Sequence, residues 1–234
     1  MAGVEGDVWK MRLDRSGEPK REPGQIQLQR YVGALAYSGI PTFLGIPVCL
    51  TQEDLKAGKV DAAILGAPVD MSIGHRGAAF GPRCIRADER VLPNIPFAMQ
   101  NPDTRVKPFE VLNVVDYGDA AVDPLSIEAS AEIIRALVRE VVEVGAIPIV
   151  LGGDHSILWP DAAAVADVYG AGNVGVIHFD TDADCVNQTF GHLVSHGTPI
   201  RRLIEDEHVP ARNLVQIGLH SFALPDDELH CACP

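Results

Sequence analysis

The chain has no apolar run long enough to cross a bilayer, and it has no leader-like opening. Met1-Ala2-Gly3-Val4-Glu5-Gly6-Asp7 lacks both a basic start and an apolar core. Basic residues are scarce, with 19 Lys plus Arg against 32 Asp plus Glu and a net charge of -13. Nucleic acids and anionic membrane surfaces are drawn to a basic face, so neither is an expected partner. A small cationic ligand fits the balance better. The five cysteines, Cys49, Cys84, Cys185, Cys231 and Cys233, are odd in number and scattered. They form no disulfide framework or zinc-finger spacing, and reduced thiols point to the cytoplasm. No internal repeat or low-complexity block interrupts the chain.

What is present reads as an α/β pattern. Residues 1–30 are polar, mixed in charge and punctuated by Ser16-Gly17-Glu18-Pro19 and Pro23-Gly24, which predicts a flexible arm. Residues 31–234 are then one domain, a size that suits a single substantial core. Apolar runs predict strands at Val60 to Gly66, Val111 to Val115, Ile147 to Leu151, Val174 to Asp180 and Leu214 to Gly218. Between them, Ile127, Ala131, Ile134, Leu137, Val138, Val141 and Val142 recur at helical spacing, and Gly145 closes that segment. Further helices are expected at Arg83 to Val91, Trp159 to Tyr169 and Gly197 to Glu207. Strands alternating with helices predict a three-layer α/β/α fold with a mostly parallel sheet. Ligands gather beyond the carboxyl ends of such strands.

Two segments with ligand chemistry fall at that edge. Asp180, Asp182 and Asp184 close the fourth strand, and strand alternation would turn all three to one side. Three like charges so gathered repel unless a cation sits among them. The third strand ends in Gly152-Gly153-Asp154-His155 and offers an imidazole. Aspartates with one histidine suit a hard divalent ion such as Mn²⁺ better than thiolate-bound zinc. An EF-hand loop is excluded, because Cys185 stands where its glycine belongs and Gly191 where its glutamate belongs. A dinucleotide fingerprint is incomplete in Gly152-Gly153-Asp154. Taken singly, an aspartate at a strand end caps a helix and a lone histidine is structural; it is the combination that makes a site.

Gly152-Gly153-Asp154-His155-Ser156, Asp180-Thr181-Asp182-Ala183-Asp184 and His196-Gly197-Thr198-Pro199 together resemble the ordered motifs of the ureohydrolase family, the arginase and agmatinase group. Gly66-Ala67-Pro68-Val69-Asp70 and Phe80-Gly81-Pro82-Arg83 resemble its upstream motifs, most closely in the agmatinase branch. The resemblance implies an arginase-like fold and a binuclear manganese site whose bridging hydroxide attacks a guanidinium carbon, giving urea and an amine. It implies that His155, Asp180 and Asp184 bind one ion, with Asp180 also reaching the second. Asp182 stands where the family has a histidine ligand, and His196 matches the histidine of proton transfer to the leaving amine. No substrate-binding residue is implied individually, although residues between Cys185 and Ser195 are expected at the entrance. The family commonly forms homo-oligomers.

The family's third metal motif, an Asp-x-Asp pair on a later strand, has no counterpart before Pro234. The resemblance is therefore to a C-terminally truncated ureohydrolase domain that lacks the last strands. In the family fold those strands lie between the third and the fourth, so two strand groups with open inner edges are expected here. An alternative expectation follows, that of a noncatalytic scaffold or interaction protein that pairs with a complete homologue.

Overall fold

A computed structural model of the chain describes residues 21–30, 39–74, 76–88 and 100–220. The first twenty residues of the expected arm, the end of the helix expected from Arg83 to Val91, and Cys231-Ala232-Cys233 lie outside these. The described part of the arm is docked on the domain. Arg21 Nη2 donates to Asp54 Oδ2 at 2.5 Å, the Gly24 N–H donates to Asp54 Oδ1 at 2.9 Å, and Ile26 and Val48 exchange backbone hydrogen bonds. Asp54 also closes a capping box with Thr51 at the start of α1 (Gln52–Ala57), so one buried carboxylate ties arm to helix.

β1 (Ala62–Ala67) is buried along its whole length. It lies between β2 (Val114–Asp119) and β3 (Ile147–Gly152), both parallel to it. β2 starts later than the sequence suggests, because Pro108 opens a single turn of helix first. That turn is α3 (Pro108–Val111). Opposite β1, the register slips past Tyr117, so that Ile64 faces Asp116 but Leu65 faces Gly118. The outer edge of β2 is covered by the segment around Val48, since Asp116 N–H donates to Pro47 O and Cys49 N–H to Asp116 O.

Alternation sends Ala63, Leu65 and Val115 to one face of this sheet, where Tyr117 joins them. There they pack with Ile134, Val138, Val141 and Val142 of α4 (Ile127–Glu143) and Ala164 of α5 (Leu158–Tyr169). Each fully buried Val, Leu or Ile contributes roughly 1.5–3 kcal/mol. Ser126 caps α4 by accepting from the Ala129 N–H at 3.1 Å, and Gly145 leaves it in the left-handed region at φ 83°. α2 (Gly81–Asp88) covers the other face. From it Arg86, buried, donates through Nε and Nη2 to both Asp116 oxygens at 2.8 and 3.0 Å, and also reaches Asp119.

β4 (Val176–Phe179) and β5 (Leu214–Ile217) form a second parallel sheet. Val176 packs toward Ala163 of α5 and Leu203 of α6 (Pro199–Glu205). On the opposite side, Ile177 faces Val215 and Phe179 faces Ile217, and all four are exposed, Phe179 by 73%. Ile147 and Ile149 of β3 are exposed as well. Among the described residues β3 pairs only with β1 and β4 only with β5, so the two strand groups expected from the sequence are present, each with an open edge. The fold is α/β with parallel sheets and helices, arginase-like, and among the described residues no strand lies between β3 and β4.

Arg86→Met is expected to destabilise the fold by about 3–5 kcal/mol, because it strips the counter-charge from the buried Asp116. Denaturant unfolding of both proteins measures this. A loss below about 1 kcal/mol would mean that the Phe43 and Gly118 N–H groups on Asp116 suffice alone.

Candidate metal centre

The loop after β3 is held by close backbone contact. A Cβ on Gly153 would lie 2.3 Å from Val69 O and 2.6 Å from Ala67 O, so only glycine lets the chain pass between them. Asp154 then works as a strut. Its carboxylate accepts from the Ser72 N–H and the Ser156 N–H, each at 3.0 Å, and its own N–H donates to Val69 O. The next side chain, His155, is thereby aimed past the end of β3 toward the end of β4.

There it meets His178, Asp180 and Asp184, whose ligand atoms and its own all lie within 4.8 Å of one another. His155 Nε2 is 3.0 Å from His178 Nε2, 2.9 Å from Asp184 Oδ2 and 3.7 Å from Asp180 Oδ2. Asp184 is buried, and its Oδ2 is left without a hydrogen-bond partner although His155 Nε2 lies 2.9 Å away. An unsatisfied carboxylate oxygen in the interior is costly. Two imidazoles and two carboxylates converging on one point fit a divalent ion, and the orphaned oxygen is what such an ion would satisfy.

The sequence expectation of three aspartates on one face needs correction. β4 ends at Phe179, so alternation stops before Asp180. The Asp182 N–H instead folds back to Asp180 Oδ1 at 3.0 Å, and the Asp182 side chain is exposed and outside the group. Asp184 re-enters through a left-handed residue, φ 52°. His178 was not singled out from the sequence, yet it is buried on β4 and belongs to the group. Its signal was a polar residue at an inward strand position two before Asp180. His196 lies half-buried on the turn before α6, which Ser195 and Thr198 clamp by a bond from the Ser195 N–H to Thr198 Oγ1 at 2.9 Å. It is not among the four grouped residues.

The charges follow from these distances. The Asp184 carboxylate, outweighing burial, pushes the His155 pKa above its ordinary value of 6.5. Burial pushes His178 down. Burial would raise Asp180, but the Asp182 N–H and the neighbouring histidines hold its carboxyl below the usual range.

The profile of the arginase family matches residues 60–232. The chain belongs to the arginase family. It is 35% identical over 182 residues to the mitochondrial guanidino acid hydrolase of Homo sapiens, covering 77% of this chain and 48% of that protein. It is 35% identical over 195 residues to the mitochondrial agmatinase of Gallus gallus, covering 82% and 54%. Among solved structures, proclavaminate amidino hydrolase from Streptomyces clavuligerus superposes with a TM-score of 0.69 at 27% identity, over 85% of this chain and 62% of that one. Formiminoglutamase from Trypanosoma cruzi with Mn²⁺ gives 0.64 at 25%, over 74% and 57%. The chain thus spans about half the length of the curated relatives it matches. Among the described residues no helix is long and apolar enough to cross a membrane.

Divalent-metal affinity is expected to strengthen as pH rises through the raised His155 pKa, because the proton held there below that pH competes with the ion. Asp184→Asn is expected to weaken binding by more than the ~10–100-fold typical of outer-shell changes. Asp182→Ala, at an exposed position, is expected to stay within about twofold. Isothermal titration with Mn²⁺ across pH measures all three, and equal losses from both variants would show that Asp182 swings in as a ligand.

Proposed function

We propose that the chain carries the metal-binding half of a guanidino-compound hydrolase, agmatinase-like, with Mn²⁺ as its ion. The observation that carries this is the buried, unpartnered Asp184 Oδ2 between His155, His178 and Asp180 at the carboxyl edge of parallel strands. His155, Asp180 and Asp184 would hold the ion, and Asp182, turned to solvent, would not be needed for the first one. When bound, such an ion lowers the pKa of water toward neutrality. The residues supply the rest: the two carboxylates attract a planar guanidinium, and His196, on its clamped turn, would hand a proton to the departing amine.

The substrate's tail has a candidate place. An open cavity of about 440 Å³ lies among the loops after β1, β2 and β4, lined by Ser72, Arg76, Ser126, Phe190 and His192 among others. That size is ordinary for a small-molecule site. None of the four grouped residues lines it; the link to them is indirect, through Ser72, whose N–H holds the carboxylate of Asp154, the residue before His155. The cavity also takes in residues of the segment between Cys185 and Ser195. Cys49, Cys84 and Cys185 are free thiols, and the cytoplasm is the setting proposed for the chain.

A second reading, a noncatalytic scaffold that joins a complete homologue, is favoured by the open β3 and β4 edges and the bare Ile177, Phe179, Val215 and Ile217 face. One experiment separates the two. Urea release from agmatine, guanidinobutyrate and arginine is measured with and without Mn²⁺, on the chain alone and mixed with a full-length relative. Mn²⁺-dependent urea from the chain alone, lost at least about a hundredfold in His196→Asn, is the expected result. No urea alone, together with a stable complex with the relative, would transfer the case to the scaffold reading.

A further inference from the structure

His178 is the group's most deeply enclosed imidazole, and its other nitrogen is not free. Gln216 stands directly opposite on β5, in the parallel register that pairs His178 with Gln216. The Gln216 side-chain nitrogen donates to Ala183 O at 2.8 Å and lies 3.1 Å from His178 Nδ1. A carbonyl oxygen only accepts, so this contact fixes which end of the amide faces Ala183. The amide nitrogen carries two hydrogens and accepts none. Its second hydrogen therefore points at Nδ1, which must present its lone pair. In a neutral ring the proton then sits on Nε2.

That Nε2 faces the metal group. Its nearest neighbours are His155 Nε2 at 3.0 Å, Asp184 Oδ2 at 3.5 Å and Asp180 Oδ2 at 3.6 Å. The two imidazole centroids are 5.2 Å apart with planes 20° from parallel. With the Nε2 atoms 3.0 Å apart, the rings meet edge to edge and nearly coplanar, which is the geometry of an N–H···N bond. His178 is the donor and neutral His155 the acceptor.

We infer that Gln216 locks His178 in its Nε2–H form, so that His178 is a hydrogen-bond donor positioning the metal ligands rather than a fourth ligand. A metal-bound histidine offers a bare nitrogen to the ion and its N–H to an outer acceptor. Here the outer partner is a donor, which reverses that arrangement. His155, Asp180 and Asp184 remain as the described protein ligands, and the buried His178 N–H is left to neutralise carboxylate charge once an ion takes the His155 lone pair. Gln216 is thus a positioning residue. The inference refines the metal reading of the site but stands without hydrolysis, because the tautomer belongs to the metal-free protein.

Long-range ¹H–¹⁵N correlation spectra of the metal-free chain, labelled at histidine nitrogen and recorded at mildly alkaline pH, report the tautomer directly. His178 is expected to show a protonated Nε2 and a bare Nδ1; a protonated Nδ1 overturns the inference. Gln216→Glu supplies an acceptor where the wild type has a donor, and is expected to move the proton to Nδ1 and free Nε2 for an ion. Co²⁺ titrated into that variant should bind about tenfold tighter with an altered visible spectrum. His178→Asn should keep the wild-type metal stoichiometry, with affinity reduced no more than about tenfold. A loss as large as that of His155→Gln would instead make His178 a ligand. Absent urea release with an Nε2–H tautomer would sink the hydrolase reading and leave this one intact.

Discussion

The constraint on which the site depends is the mutual repulsion of Asp180 and Asp184, held together by backbone that has little freedom to separate them. Asp180 is pinned by the Asp182 N–H, and the Asp184 carbonyl accepts from the Ile200 N–H. At close range in a partly buried setting, two such charges cost several kcal/mol unless countered. Below the raised His155 pKa the counter-charge in the ion-free protein is a proton on His155, favoured there by the Asp184 and Asp180 carboxylates; above it the neutral ring accepts from His178. That proton contributes stability below the ordinary histidine pKa and loses it as pH rises through the raised one. An ion and a proton are thus alternative solutions to one electrostatic problem, which is why metal affinity and pH are bound together here.

The geometry that sets up this problem is the parallel direction of both sheets. Parallel strands put their carboxyl ends on one side, so the loop after β3 and the end of β4 deliver His155 and His178, 23 residues apart, to the same point. Across the gap between β3 and β4 the connection is made by helices. α5 packs on α4 under the first sheet and on α6 under the second, and Arg135 of α4 grips Asp167 of α5 with two bonds of 2.8 and 2.6 Å. The helical layer spans what the strands do not. Among the described residues the β3 and β4 edges facing that gap have no strand partner, which is the cost of the arrangement.

Much of the fold was legible because it rests on local periodicity. The uninterrupted apolar β1 and β3 and the Ile134-Val138-Val141 stripe of α4 announce themselves within a few residues, and Gly145 marks the stop. The placement of β2 was missed by a few residues because Pro108 diverts the apolar run into a helical turn. In the site, His155, Asp180 and Asp184 could be read from chemistry at strand ends. Asp182 could not, because its fate turns on where β4 stops, and a side-chain bond between neighbours decided that. His178 and Gln216 were invisible for the opposite reason: their partnership is a matter of register between strands 38 residues apart.

The same register bears on how many ions the chain can hold. On the proposed reading of His178 as a donor, His155, Asp180 and Asp184 would be left as ligands, enough to anchor one ion whose other positions are open to water or substrate. A second ion would need carboxylates that the described residues do not gather. Any strand laid between β3 and β4 in the direction of both would end at this same edge, beside His155 and Asp180. The pairing that would satisfy the two open strand edges is therefore also the one able to deliver further ligands. Completing the sheet would then also complete the metal shell, and should raise activity above what the one-ion chain supports alone.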